Sequence, residues 1–185
     1  MRTERVFIVL RSVFLLICIV VFFPPSALSQ SFCGRAKTYI SELPFICTSR
    51  QGLSEGLLAD GYEFQRSIGA KDVYFAPQAY ILPATLVSLF NEKNELLMAQ
   101  YIFPVNTSDN AYKHIRQAID EKFGAFKRNR GSELESRFEF VWFMQDGVRI
   151  RFQRKKGARE ARLTFNLPHK TKAFLRVQEA NASGL

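Results

Sequence analysis

The chain has 185 residues, 47% of them hydrophobic and 14% aromatic, and carries a formal net charge of +9. This composition excludes a disordered or collagen-like chain and leaves room for one compact domain of ordinary size with its own core. The positive excess points to anionic partners such as nucleic acid, acidic lipid headgroups, lipopolysaccharide or an acidic protein.

Arg2, Arg5 and Arg11 flank a run that is continuously apolar from Val13 to Phe23, followed by Pro24-Pro25 and the small-residue pattern Ala27-Leu28-Ser29. This is the pattern of a secretory signal peptide occupying residues 1–29. The apolar run is short for a bilayer span, which needs about 20 residues, so cleavage after Ser29 is the expectation and retention as an anchor the alternative. The exported part, residues 30–185, reads as a single domain, periplasmic in a bacterium and otherwise secreted. Losing Arg2, Arg5, Arg11 and Glu4 leaves 23 basic and 16 acidic residues, a net +7. Cys18 leaves with the signal, and Cys33 and Cys47 remain as an even pair in an oxidising compartment. A disulfide between them is expected, closing a loop of about 15 residues and stabilising by roughly 3 kcal/mol.

Gly34 to Leu43 has a helical stripe of Ala36, Tyr39, Ile40 and Leu43 that Pro44 would end. Gly52 to Asp60 offers a second short helix through Leu53, Leu57 and Leu58, with Gly61 as its stop. Tyr62 to Arg66 and Asp72 to Phe75 are short strand candidates around Gly69. Thr85 to Phe90 and Glu95 to Phe103 form a hairpin apolar on both faces, with Asn94 in the left-handed position of its loop. Ser108 and Asp109 start a helix running to Phe123, with Tyr112, Ile115, Ile119 and Phe123 on one stripe and Gly124 as its stop. Residues 125–137 read as a polar loop, and Asn106 and Asn181 open glycosylation sequons relevant only to a eukaryotic secretory route.

Phe138 to Leu167 is the most informative stretch. Phe138, Phe140, Trp142 and Met144 alternate onto one face, as do Val148, Ile150 and Phe152. A two-residue Asp146-Gly147 turn would put the aromatic set beside Arg149 and Arg151. A three-residue loop Gln145-Asp146-Gly147 with a left-handed Gly147 instead pairs Met144 with Val148 and Trp142 with Ile150. A two-residue Gly157-Ala158 turn then pairs Phe152 with Leu163, Ile150 with Phe165 and Lys155 with Glu160. Past this meander, His169 to Val177 is a last helix and Glu179 to Leu185 a frayed tail. The fold class is α+β: an antiparallel sheet made of a hairpin and a three-stranded meander, with helices packed mainly on one face.

The same register collects Arg149, Arg151, Gln153 and Arg162 on the opposite face, with Val141 and Phe143 beside them. Residues 125–162 hold 11 of the basic and 5 of the acidic residues, whereas residues 30–124 hold 9 and 10. The expected anionic-partner surface is therefore Lys127, Arg128, Arg130, Arg149, Arg151 and Arg162, and Val141 with Phe143 is the alternative protein-docking edge. No nucleophile arrangement, phosphate-binding glycine loop or metal-ligand pair is present, and His114 and His169 stand alone. Glu133, Glu135 and Glu139 are close enough in sequence to supply acid and base for glycan hydrolysis in principle, but they alternate beside Arg137 at the entrance to a strand, where local charge balance explains them better. No cofactor or metal is implied, and the expectation is a non-catalytic binding protein engaging an anionic envelope component or an acidic protein.

Overall fold

The computed structural model describes residues 36–185 apart from 81, 105–107, 134–136, 156–157, 159 and 184–185. The signal segment, Cys33, Gly34, Glu135, Asn106 and Gly157 lie outside the described residues. Residues 36–185 form one compact unit. A small hairpin of β1 (Tyr39–Ile40) and β2 (Leu43–Pro44) leads through one 3-10 turn, Phe45–Cys47, into helix α1 (Arg50–Ala59). Strands β3 (Glu63–Ile68), β4 (Lys71–Ala79), β5 (Leu82–Phe90) and β6 (Leu96–Phe103) follow, then helix α2 (Asp109–Phe123). The chain closes with β7 (Arg128–Gly131), β8 (Phe138–Phe143), β9 (Arg149–Arg154), β10 (Ala161–Asn166) and helix α3 (Pro168–Ser183).

The eight longer strands make one antiparallel sheet in the order β3-β4-β5-β6-β10-β9-β8-β7. Two meanders are thus joined along a β6–β10 seam, and α2 carries the chain from the centre of the sheet to its far edge. The meander register is the one the apolar alternation demands: Trp142 faces Ile150, Phe140 faces Phe152, Phe152 faces Leu163 and Ile150 faces Phe165. Met144 N–H donates to the Val148 carbonyl at 2.9 Å, and Gly147 has φ +79°, a left-handed conformation that glycine adopts without Cβ strain. The hairpin before it also behaves as expected, with Asn94 at φ +58°.

The core lies on one side of the sheet. Tyr74, Leu86, Tyr101, Phe103, Phe138, Trp142, Ile150, Phe152 and Phe165 point there and meet Leu53 and Leu57 of α1 and Tyr112, Ile115 and Ile119 of α2. Burying each of these large side chains contributes about 1.5–3 kcal/mol, which holds both helices on that face. Both helices are capped as their sequences dictate: Ser49 accepts from Gly52 N–H at 3.1 Å and Ser108 from Ala111 N–H at 3.2 Å. Helix α3 instead meets the end of β6, where Thr171 Oγ1 donates to the Leu97 carbonyl at 3.1 Å.

Four expectations are corrected. Tyr39 to Pro44 is a tight hairpin and not a helix, because Ser41 (φ +46°) and Glu42 (φ +64°) both take left-handed turn conformations. Asp146 holds this hairpin from the far end of the chain, its carboxylate accepting from Lys37 N–H and Thr38 N–H, each at 2.8 Å. Arg128–Gly131 is a fourth meander strand and not loop, paired with β8 at the sheet edge. The β4 strand runs past Phe75 to Ala79, with an irregularity between Ala76 and Ala79 where Pro77 cannot donate to the ladder. Helix α3 continues through Glu179 to Ser183, so those tail residues are helical and not frayed.

Candidate anion-binding surface

The sheet face opposite the core is built from the alternate residues of each strand, and the ladder arranges the basic half in rows. One row runs Asn166, Arg149, Phe143 across β10, β9 and β8, the next Thr164, Arg151, Val141, Arg128, and the third Arg162, Gln153, Glu139, Arg130. Because β7 is a strand, Arg128 and Arg130 fall on the same face as Arg149, Arg151 and Arg162. Five of the six basic residues singled out in the sequence are therefore brought together, and Lys127 immediately precedes them, its N–H donating to the Val141 carbonyl at 2.9 Å.

Counter-charge on this surface is sparse. Glu139 sits between the two meander neighbours and engages both, with Arg151 Nε at 3.2 Å and Arg128 Nη2 at 3.6 Å. Arg162 is satisfied locally by Glu160, its Nε donating at 2.8 Å. Arg149 makes no ion pair among the described residues, and its Nε is buried without a hydrogen-bond acceptor. Burial, together with the neighbouring Arg151 and Arg128 guanidiniums, holds Arg149 below its ordinary value, and Glu139 only partly opposes this. The group stays charged at neutral pH, and no carboxylate pairs with it among the described residues.

The docking pair splits. Val141 is buried, flanked in register by Arg128 and Arg151, whose long stems suit the role of cover over the strand. Phe143 is 59% exposed beside Arg149. Beyond the seam, the same face continues over β6, β5 and β4 through half-buried Ile102, Val87 and Val73 to exposed Phe75.

Glu133 and Glu139 do not form a pair, and Glu135 lies outside the described residues. Glu133 is buried and bound to Arg116 of α2, which also holds Asp120 at 2.5 Å and lies over the Phe126 and Phe140 rings on the core side. Asp120 in turn accepts from Trp142 Nε1 at 3.1 Å. Glu139 belongs to the opposite face. Cys47 ends the 3-10 turn, and its proposed partner Cys33 is outside the described residues. His114 is exposed on α2 and His169 exposed on α3.

At the end of β7, β8 and β9 the basic surface folds into a cleft of about 600 Å³ lined by Arg130, Arg137, Glu139, Gln153, Arg154 and Lys155. Arg137, Arg154 and Lys155 are residues that sequence reasoning passed over. Their only signal is charge density, because they converge only once Gly131 is paired with Phe138 and Phe138 with Arg154.

No protein family and no curated protein matches this chain. Among solved structures it is similar to YjgB, a DUF4309 family protein from Bacillus subtilis, at 10% identity and a TM-score of 0.40, covering 75% of this chain and 95% of that one. A likeness at that level carries no argument about fold or function.

Proposed function

We propose that this is an exported, non-catalytic binding protein whose basic sheet face engages an anionic polymer of the cell envelope or extracellular space. The observation that carries the reading is that Arg128 and Arg151 share one carboxylate, Glu139, while neighbouring Arg149 on the same face has no ion pair among the described residues. Like charges held this close are relieved by an incoming oxyanion, and guanidinium forks match phosphate, sulfate and carboxylate groups two bonds at a time. Export itself rests on the leader-like residues 1–29, and the Cys33–Cys47 disulfide belongs to the same reading.

A second reading has its own observation. Phe143, exposed at the rim of the basic rows, is placed to dock an acidic protein.

Replacing Arg149, Arg151 and Arg162 together by glutamine tests the first reading. The variant is expected to stay within about 1 kcal/mol of the parent, a surface-type cost. Its elution from an immobilised sulfated polysaccharide should move to markedly lower salt. A folded variant that elutes with the parent means the face is only solvated. Replacing Phe143 by serine separates the second reading, because an apolar dock responds to that change and hardly to salt.

A further inference from the structure

We propose that the cleft between the first turns of α1 and the sheet edge at β3 and β4 binds a short neutral oligosaccharide, with Phe64 as the stacking ring and Gln51, Ser54 and Asn94 as hydroxyl partners. This goes beyond the outer-face reading and is independent of it. The cleft lies on the helix side of the sheet, opposite the arginine rows, and its lining comes from residues 49–94.

A bulge in β3 builds this cleft. Strict alternation would send Phe64 and Ser67 to opposite faces of the strand. A register shift between Phe64 and Arg66 instead pairs Phe64 with Tyr74 and Ser67 with Asp72, so both side chains stand on the helix side. Phe64 is 48% exposed there, its ring 5.5 Å from that of Tyr74 and inclined to it at 70°. Across the gap stand Ser49 and Arg50 at the start of α1, with Gln51, Ser54 and Glu55 in its first turns. Asn94 of the β5–β6 loop is fastened beside them, its carbonyl accepting from Arg50 N–H at 2.9 Å. The cleft measures about 690 Å³, the size of a small-molecule site.

The ligand's chemistry follows from what the charged groups already hold. Arg50 is engaged by Asp72, its Nε donating at 2.8 Å, and Asp72 also accepts from Ser67 Oγ at 2.5 Å. Glu55 accepts from Gln51 Nε2 at 2.8 Å. Charges of both signs are answered within the cleft, which favours an uncharged ligand over a phosphate or a sulfate. The floor carries an unmet hydroxyl. Tyr74 is fully buried and its phenol oxygen completes no hydrogen bond, although the Ser54 hydroxyl of α1 stands near enough to act on it. Burial raises the Tyr74 phenol above its ordinary value, so at neutral pH it is an O–H donor. A ligand hydroxyl seated at Ser54 gives both groups a partner, whereas an apolar ligand would seal them off unsatisfied. Phe64 supplies the remaining contact, because the negative face of an aromatic ring attracts the weakly positive C–H groups of a pyranose. Hydroxyls, amides and one exposed ring around an internally neutralised ion pair suit a polyhydroxylated ring compound.

Titration calorimetry of the purified chain with maltotriose and with triacetylchitotriose, two neutral trisaccharides with different substituents, tests the proposal. At least one is expected to bind saturably, with an affinity that changes less than about twofold between about 50 and about 500 mM salt, because no charge is neutralised. Phe64→Ala should weaken it at least about tenfold, or 1.4 kcal/mol. Asn94→Gly, which keeps the left-handed backbone at φ +58°, should weaken it at least about threefold and decides the matter if Phe64→Ala fails to fold. Phe75→Ala removes an exposed ring from the outer face of the same two strands and should change it less than about twofold. Failure of both trisaccharides to bind the parent overturns the proposal. Binding that survives both Phe64→Ala and Asn94→Gly, or that weakens as much in Phe75→Ala, also overturns it by placing the sugar elsewhere. Retention on the sulfated polysaccharide is read in parallel. Loss of trisaccharide binding in Phe64→Ala with retention intact leaves the outer-face reading standing, and an arginine triple variant that elutes with the parent removes that reading alone.

Discussion

Replacing Asp72 by asparagine probes the polar contact that fastens α1 to the sheet. Asp72 lies on the core side of β4, only 3% exposed, and its carboxylate accepts from Arg50 Nε at 2.8 Å, Arg50 Nη2 at 2.5 Å and Ser67 Oγ at 2.5 Å. Burial pushes the carboxyl up, but the Arg50 and Ser67 hydrogen bonds and the Arg50 charge outweigh it and leave Asp72 below the usual carboxylate range. Removing one member of a buried ion pair costs about 3–5 kcal/mol. Arg50 is still 30% exposed and asparagine keeps one acceptor, so the cost here should fall to about 2–3 kcal/mol. For a unit of this size that is a drop of about 5–10 °C in melting temperature. Denaturant unfolding of D72N, R50M and the double variant reads it directly, with an expected coupling of about 1–3 kcal/mol between the two positions. The sign with pH follows from the depressed folded value. The parent's advantage over D72N is fully present above the unfolded carboxyl value of about 4 and disappears as pH falls through the lower, folded value. A cost below about 0.5 kcal/mol, strict additivity of the two changes, or an advantage that persists into strong acid would refute the reasoning.

Asp146→Ala removes the acceptor for Lys37 N–H, Thr38 N–H and Thr38 Oγ1, and should cost about 2 kcal/mol. Amide exchange at Lys37 and Thr38 should rise toward that of an unprotected chain while β8 amides keep their protection. Thiol labelling of the purified protein, prepared under oxidising conditions, should find no reactive cysteine before reduction, and reduction should destabilise it by roughly 3 kcal/mol. Two reactive thiols in unreduced material would remove the Cys33–Cys47 assignment.

What the sequence made legible was local. The alternation from Phe138 to Phe152 and the glycine at 147 determine a register between neighbours a few residues apart, and Ser108 and Gly124 mark a helix by chemistry at its own ends. The Tyr39 to Pro44 hairpin was hidden because its apolar residues fit a helical stripe equally well, its turn uses serine and glutamate rather than glycine, and its anchor at Asp146 is over a hundred positions away. Arg128–Gly131 carries no apolar alternation at all. It is a strand because the open edge of β8 supplies backbone partners, a tertiary effect that no propensity records. The site shared this division: Arg149, Arg151 and Arg162 could be placed on one face from the meander alone, whereas Arg130, Arg137, Arg154 and Lys155 meet only through that fourth strand.

The two rims of the sheet have a consequence for the protein at high concentration. An open strand is a template on which another chain can add, and long apolar rims seed fibres. Here β3 carries a register break between Phe64 and Arg66 and charges at Glu63 and Arg66, and β7 is four residues long, bears two arginines and ends on left-handed Gly131. Both rims therefore resist continuation by a second molecule. The protection against polymerisation is carried in the outermost strands themselves.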